Sequence, residues 1–192
     1  MDMHKITFFL VTGPPGIGKT TLVRKVCDKL GEQTKPKGFY TEEVRVNGQR
    51  IGFDVVSFGG TRGILAREQT TDNVRRPKVG KYSVYVQDFE QLALPLLKSA
   101  PLLVIDEIGK MELLSQRFEA AVNELLQKEQ FMLATIPSQT RQPIALVERL
   151  KKAPHAVIYE VTNANRNALV NAIAEQILET NHAKQVMSIE NL

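Results

Sequence analysis

The chain has 192 residues, 43% of them hydrophobic, and its 25 Lys and Arg residues outnumber its 21 Asp and Glu residues for a net charge of +4. This length predicts one domain with a sizeable core, and no apolar run is long enough to span a membrane. The basic residues are scattered among acids, which gives no firm evidence for a nucleic-acid surface, and the single cysteine, Cys27, excludes an internal disulfide.

The first element is an apolar run at 6–11, which we interpret as a buried strand. The run is too short, and residues 1–5 carry too little charge, for a signal peptide, so we expect a cytoplasmic protein. A helix should follow from Thr20 to Leu30 and end at Gly31. Cys27 lies on its apolar face, which indicates a buried small hydrophobe in a reducing compartment.

Between this strand and helix, residues 13–20 match the phosphate-binding loop G-x-x-x-x-G-K-[ST] at every fixed position. A strand that turns through glycines into a helix directs several backbone N–H groups and the positive end of the helix dipole at one point. The loop therefore predicts a nucleotide site. Lys19 would reach the β and γ phosphates, and the Thr20 hydroxyl would ligate Mg²⁺.

The alternation of strand and helix is interrupted in the next segment, which we expect to be an insertion at about 38–87. Residues 38–45 and 50–57 look extended, and Asn47-Gly48 between them is a strong hairpin signal. Another turn is expected at Gly59-Gly60, a loop over most of 61–80, and a strand at 81–87.

Strands and helices alternate through the second half. Asp88 with Gln91 resembles a capping box that opens a helix to about Lys98, and Pro95 should kink or shorten that helix. Ser115 should cap the next helix. The remaining elements are expected at 102–105 (strand), 131–136 (strand), 144–152 (helix), 156–161 (strand) and 165–180 (helix).

This alternation predicts an α/β fold in which a mainly parallel sheet is covered by helices on both faces. We expect a single domain at 1–180, and a loose tail at 181–192 because periodicity is absent there.

The strand at 102–105 ends in Asp106 and Glu107, which is the Walker B arrangement. Asp106 would hold Mg²⁺, directly or through water. Adjacent acids on an extended chain diverge, so Glu107 can face the γ phosphate and orient or deprotonate an attacking water. The segment between the two motifs has room for a strand that separates theirs in the sheet, an order that, with the Glu, favours hydrolysis.

Several weaker candidates remain open. Thr135 ends the next strand and either senses the γ phosphate or only closes the strand. Lys110 either supplies positive charge to the transferring phosphoryl group or is an exposed lysine that pairs with Glu112. Arg62, on a glycine-rich loop, is another residue that could bring positive charge to the transferring phosphoryl group, as an arginine finger does.

The segment after the last strand is a usual place for contacts to a base. Asn163, Asn165 and Arg166 are the candidates there, and helix capping explains Asn163 or Asn165 equally well.

Three blocks, at 13–21, 38–45 and 104–113, resemble the small P-loop nucleoside-triphosphatase family related to the human cancer-related nucleoside triphosphatase. Shorter segments are also similar, at 52–56, 89–95, 134–137 and 165–166. The resemblance covers about residues 5–180, and the run Asp-Glu-Ile-Gly-Lys-Met-Glu-Leu is its most specific part.

The resemblance implies a three-layer P-loop fold with a RecA-like sheet and a hairpin insertion. It implies a Mg²⁺-dependent enzyme, a monomer, that hydrolyses ATP, GTP, CTP, UTP and TTP and acts more weakly on diphosphates. The catalytic residues would be Lys19, Glu107 and Lys110, and the metal ligands Thr20 and Asp106. The implied nucleotide-binding residues are Gly13, Pro14, Pro15, Gly16, Ile17, Gly18, Lys19, Thr20, Thr21, Val104, Ile105, Asp106, Glu107, Ile108, Gly109, Lys110 and Arg166.

Two other functions stay open at this point. The same scaffold suits a small-molecule or nucleoside kinase, with an acceptor held by the insertion. A nucleotide-dependent nucleic-acid-binding switch is the third alternative, and the scattered charge argues against it.

Overall fold

The computed structural model describes residues 6–98, 100–138 and 142–190; of residues 32, 33, 184, 185 and 187–190 it describes the backbone alone. Within the described residues the strands form one nine-stranded sheet. Within these described residues, no helix combines the length and the apolar composition that crossing a membrane requires.

Five neighbouring parallel strands form the half of the sheet that carries the site. They are β1 (Phe8–Thr12), β2 (Lys37–Val46), β7 (Leu103–Ile105), β8 (Met132–Thr135) and β9 (Ala156–Glu160). β1, β7 and β8 are buried along their whole length, because helices cover both faces of a parallel sheet.

Alternate residues of β1 point into two separate cores. Phe8 and Leu10 belong to one apolar cluster, whereas Phe9 and Val11 belong to the other. This period of two follows from strand geometry and confirms the three-layer α/β architecture.

The helices are α1 (Lys19–Thr34), α2 (Val86–Leu96), α3 (Gln116–Gln127), α4 (Ala145–Lys151) and α5 (Arg166–Glu190), with a 3-10 helix at Glu112–Leu114. Apolar side chains of α2, α3 and α4 pack into the core on one face of the sheet. Those of α1 and α5 pack into the other core, where Cys27 is 5% exposed, as predicted for a small buried hydrophobe.

The insertion extends the sheet with antiparallel strands: β3 (Gln49–Ser57), β4 (Arg62–Arg67), β5 (Lys78–Val79) and β6 (Tyr82–Val84). The predicted hairpin is confirmed, with φ of 49° at Asn47 and 79° at Gly48, the pair of positive values that a type I′ turn requires. The expectation of a loop over most of 61–80 is wrong for β4, because pairing with β3 and β6 stabilises a strand there that the charged sequence does not signal.

The strands follow the order β5-β6-β4-β3-β2-β7-β8-β1-β9 in the sheet. One strand separates those of the two motifs, as expected, but it comes from a different part of the chain than predicted. β8 separates β1 from β7, and β8 comes after the acid pair in the chain rather than from the segment between the two motifs.

Three helix boundaries also differ from the prediction. α1 continues to Thr34 instead of ending at Gly31, although Gly31 itself leaves helical geometry with φ of 49° and ψ of −141°. α2 begins at Val86 and its N-cap, Tyr85, makes no side-chain cap bond, so Asp88 lies inside the first turn and the capping box does not form. α5 continues to Glu190 rather than ending near Thr180, since residues 181–190 contain no Gly or Pro to stop it. The division into a domain at 1–180 and a tail stays a prediction.

Candidate active site

Both sequence motifs lie at the same edge of the parallel sheet. The loop at 13–18 follows β1, and Asp106 and Glu107 follow β7. The carboxyl ends of parallel strands meet at one edge, which is where α/β proteins bind their ligands.

The phosphate loop leads directly into α1. Gly18 is the N-cap with φ of 104°, a left-handed conformation that glycine adopts without strain, and its carbonyl accepts the bond from Leu22 N at 2.9 Å. The free N–H groups of the first turn and the positive end of the helix dipole are therefore available to an anion at the loop.

Lys19 joins the two motifs. Its Nζ donates to the carbonyl oxygen of Gly13 at 3.1 Å and lies 3.7 Å from Glu107 Oε2. The Lys19 side chain is 10% exposed and that of Glu107 30%. The loop and the acid pair thus converge on one place, and a partly exposed ammonium group lies between them.

Asp106 is the buried member of the acid pair, at 1% exposure. Its Oδ1 accepts a short hydrogen bond from the Thr135 hydroxyl, whereas its Oδ2 is buried and has no hydrogen-bond partner within the described residues. Burial raises the pKa of Asp106, while the hydroxyls of Thr135 and Thr20, the backbone N–H of Thr41 and the charge of Lys19 act in the opposite direction.

This arrangement fits a hard divalent cation. A buried carboxylate oxygen without a partner costs free energy unless something binds it, and the Thr20 hydroxyl lies close enough to Asp106 to favour its charged form. Carboxylate and hydroxyl oxygens, completed by phosphate oxygens and water, are the ligands that Mg²⁺ prefers.

Glu107 has different surroundings from its neighbour. Partial burial raises its pKa, the Lys19 charge opposes that shift, and the Asp106 charge adds to it. Glu107 is thus a partly exposed carboxyl group beside a cation, which is where a proton acceptor for water would have to lie.

A cavity of about 880 Å³ opens in front of the phosphate loop and Glu107. Its far wall comes from the insertion, through Arg45, Arg50, Phe53 and Tyr82. These side chains reach the site only because the antiparallel strands continue the central sheet, and sequence patterns had not identified them as site residues.

Lys110 and Arg62, the two candidate sources of positive charge, are not among the described residues that line this cavity. Lys110 is exposed and, among the described residues, makes no ion pair; Glu112, its predicted partner, is 4% exposed. Arg62 donates to Asp54 Oδ2 at 2.9 Å and to Glu42, which hold it within the insertion.

The residues after β9 lie beside the start of the phosphate loop, since Val161 N donates to Thr12 O at 2.8 Å. Asn165 closes the turn before α5: its Oδ1 accepts from Thr162 N at 2.8 Å, and its Nδ2 donates to Glu160 O at 2.9 Å. These bonds stabilise the turn before α5, but they differ from the predicted N-cap bond, in which Asn165 Oδ1 would accept from an N–H group in the first turn of the helix. Arg166 and Asn163 are exposed, and their contact with a base stays a prediction.

Sequence reasoning missed two contacts near the acids. The Thr135 hydroxyl binds Asp106, so it orients the acid in addition to ending β8. Glu112 is buried beside the site rather than paired at the surface. A polar residue at a strand end signals the first contact weakly, and no local pattern signals the second.

Comparison with known proteins shows what the chain is similar to. The model of the NTPase family matches residues 8–174. The human cancer-related nucleoside-triphosphatase is 46% identical over 172 residues, which cover 83% of this chain and 90% of the human protein. The nucleoside-triphosphatase THEP1 of Thermotoga maritima is 42% identical over 168 residues, 85% of this chain and 91% of that protein.

Two solved structures share the fold. The crystal structure of THEP1 from the hyperthermophile Aquifex aeolicus superposes with a TM-score of 0.76 at 38% identity, over 86% of this chain and 96% of that chain. The solution structure of the human cancer-related nucleoside triphosphatase gives a TM-score of 0.75 at 45% identity, over 88% and 95%.

Proposed function

The chain belongs to the NTPase family and is a nucleoside-triphosphatase, and we propose that it removes the terminal phosphate from several nucleoside triphosphates in a Mg²⁺-dependent reaction. The observation that best supports this proposal is the position of Lys19 Nζ, which lies 3.1 Å from the Gly13 carbonyl oxygen and 3.7 Å from Glu107 Oε2. One cation thereby connects the phosphate cradle to the acid that would activate water.

In the proposed reaction, water attacks the γ phosphorus in line with the bond to the β–γ bridging oxygen, and that bond breaks to release the diphosphate. Glu107 accepts the proton of the water. Lys19 and the N–H groups at the start of α1 offset the negative charge on the phosphates. Because these groups are already fixed by the fold, little reorganisation is needed when charge develops.

Mg²⁺ would be held by Thr20 and Asp106, and when bound it supplies positive charge to the phosphate oxygens. The support is the unpartnered Oδ2 of Asp106 and the proximity of Thr20. Thr135 keeps Asp106 in place by donating to its other oxygen.

Broad base specificity is part of the proposal. Backbone groups of residues 13–21 contact phosphates, which every nucleotide shares, whereas the amide of Asn165 is already used within its own turn. ATP, GTP, CTP, UTP and TTP should therefore all be substrates. Diphosphates should be weaker substrates, because they lack the group that Lys19 and Glu107 face.

The monomeric state and the role of Lys110 as a source of charge remain proposals. Size-exclusion chromatography with light scattering tests the first. A turnover comparison of Lys110→Ala with wild type tests the second.

The decisive experiment compares Glu107→Gln and Lys19→Ala with wild type for phosphate release and for binding of a non-hydrolysable nucleotide. Glu107→Gln should keep nucleotide affinity and lose about a hundredfold or more of its turnover. Lys19→Ala should lose most of its turnover. Glu124→Gln on the exposed side of α3 is the matched control, and full activity in either site variant would remove that residue from the mechanism.

A kinase is the second candidate, because the insertion wall of the cavity at Arg50, Phe53 and Tyr82 offers space for an acceptor beside Glu107. Steady phosphate release from purified protein, nucleoside triphosphate and Mg²⁺ alone would favour the hydrolase. Release that requires an added acceptor would favour the kinase.

A further inference from the structure

Glu112 is a buried acid that the mechanism above does not use. It begins the 3-10 helix at Glu112–Leu114 and is 4% exposed. A buried carboxyl group costs free energy unless hydrogen bonds compensate it. Its position close to the active-site acids therefore needs an explanation.

Glu112 is bonded to the turn that follows Glu107. Gly109 N donates to Glu112 Oε2 at 3.2 Å, and Leu113 N donates to Gly109 O at 3.0 Å. On the other side, Ile108 N donates to Thr135 O at 2.9 Å. The backbone of Gly109 is thus fixed on one side by the Glu112 carboxyl group, and on the other through Ile108, which is bonded to β8.

Gly109 in turn supports the carboxyl group of Glu107. A methyl group added at Gly109 would lie 2.6 Å from Glu107 Oε1 and 3.1 Å from Glu112 Oε2. The Glu107 carboxyl group therefore packs directly against the α-carbon of Gly109, and Glu112 forms the adjoining wall. A shift of Gly109 would move the surface on which Glu107 lies.

The charges of the acids allow this arrangement. Burial raises the pKa of Glu112 to about 8, and the charges of Glu107 and Asp106 add to the shift. A protonated Glu112 can accept the Gly109 N–H bond through its carbonyl oxygen without repelling Glu107. On the neighbouring helices, Glu90 and Arg117 pair with each other at 3.1 Å.

We propose that Glu112 is a positioning residue, which fixes Gly109 so that Gly109 holds the Glu107 carboxylate where it takes the proton of water. The inference rests on the proposed role of Glu107. It adds a residue that touches neither nucleotide nor metal and acts only through the turn at 107–112.

Three variants test this chain of contacts. Glu112→Gln keeps a neutral carbonyl acceptor for Gly109 N, so its turnover should stay within about threefold of wild type. Glu112→Leu removes the acceptor, and Gly109→Ala forces Glu107 away. Each should lower kcat by about tenfold to a hundredfold, with unchanged affinity for a non-hydrolysable nucleotide.

A double-mutant cycle separates positioning from general loss of structure. If Glu112 acts through Glu107, adding Glu112→Leu or Gly109→Ala to Glu107→Gln should cause little further loss in single-turnover hydrolysis. Losses that multiply fully in the double variants would overturn the proposal, as would wild-type turnover in Glu112→Leu.

A second variant and a matched glycine substitution serve as controls. If Glu112→Leu does not fold, Gly109→Ala carries the same cycle. Gly59→Ala is its matched control, because the nearest atom to an added methyl there is 3.7 Å away. Wild-type turnover in Glu107→Gln would contradict the proposed function itself. A poor Glu107→Gln enzyme with a fully active Glu112→Leu enzyme would contradict only the role of Glu112.

Discussion

Replacing Glu112 with glutamine should stabilise the nucleotide-free protein increasingly as the pH rises from 5 to 8. In the folded protein the pKa of Glu112 is raised from 4.5 to about 8, mainly by burial. Between those values the unfolded chain has lost the proton that the folded protein still binds, so the stability of wild type falls as the pH rises. Below pH 4.5 the stability that protonated Glu112 contributes is fully retained, and at about pH 8 it is lost.

The size of the effect follows from that interval. One pKa unit corresponds to about 1.4 kcal/mol, so Glu112→Gln should gain up to about 5 kcal/mol over wild type across the window. Glutamine cannot titrate, and other acids of the site titrate in both proteins. The difference between the two proteins therefore reports the ionisation of Glu112 together with its coupling to Glu107 and Asp106.

Urea denaturation of both proteins in EDTA at several pH values measures this difference. Glu124→Gln is a control with the opposite sign, because Lys128 lowers the pKa of the exposed Glu124. That variant should lose a little stability at neutral pH and none in acid. A difference between Glu112→Gln and wild type that does not change with pH would refute the reasoning, since it would show that Glu112 ionises in the folded protein as in the unfolded chain.

Two further predictions concern the scaffold of the site. Gly38→Ala should lower the free energy of unfolding by about 3 kcal/mol or more, because φ is 133° and an added methyl would lie 1.9 Å from the Val104 carbonyl oxygen; urea denaturation should show no such loss for Gly59→Ala. Cys27 should react with iodoacetamide at pH 8 about a thousandfold more slowly in the folded protein than in urea, because burial raises its pKa from 9.0 to about 12, and equal rates would contradict its burial.

Local signals predicted the elements that carry the site. Residues within each segment signal the loop at 13–20 and the apolar strand before Asp106, and both elements form where expected. The Asn47-Gly48 turn is confirmed for the same reason, and so is Ser115, whose Oγ accepts from Phe118 N at 3.0 Å. The loop, the turn and the cap are stabilised mainly by bonds within a few residues, whereas the strand before Asp106 pairs with β2 and β8 and is signalled by its continuous apolar run.

Predictions failed where distant partners decide the outcome. β4 forms because two other strands pair with its charged segment. The helix α2 begins two residues before Asp88, so the capping-box pattern was present without its geometry.

The identity and spacing of the residues at 13–20 and at 106–107 are enough to predict a phosphate-binding loop and a Mg²⁺-binding acid pair. The groups that surround these two motifs became visible only in the folded chain: the Thr135 hydroxyl on Asp106, the insertion wall opposite the loop, and the buried carboxyl of Glu112 beside Gly109. Loop and cap geometry arises from short-range bonds, whereas burial and the pKa values it shifts depend on segments that meet only when the sheet and its helices have packed.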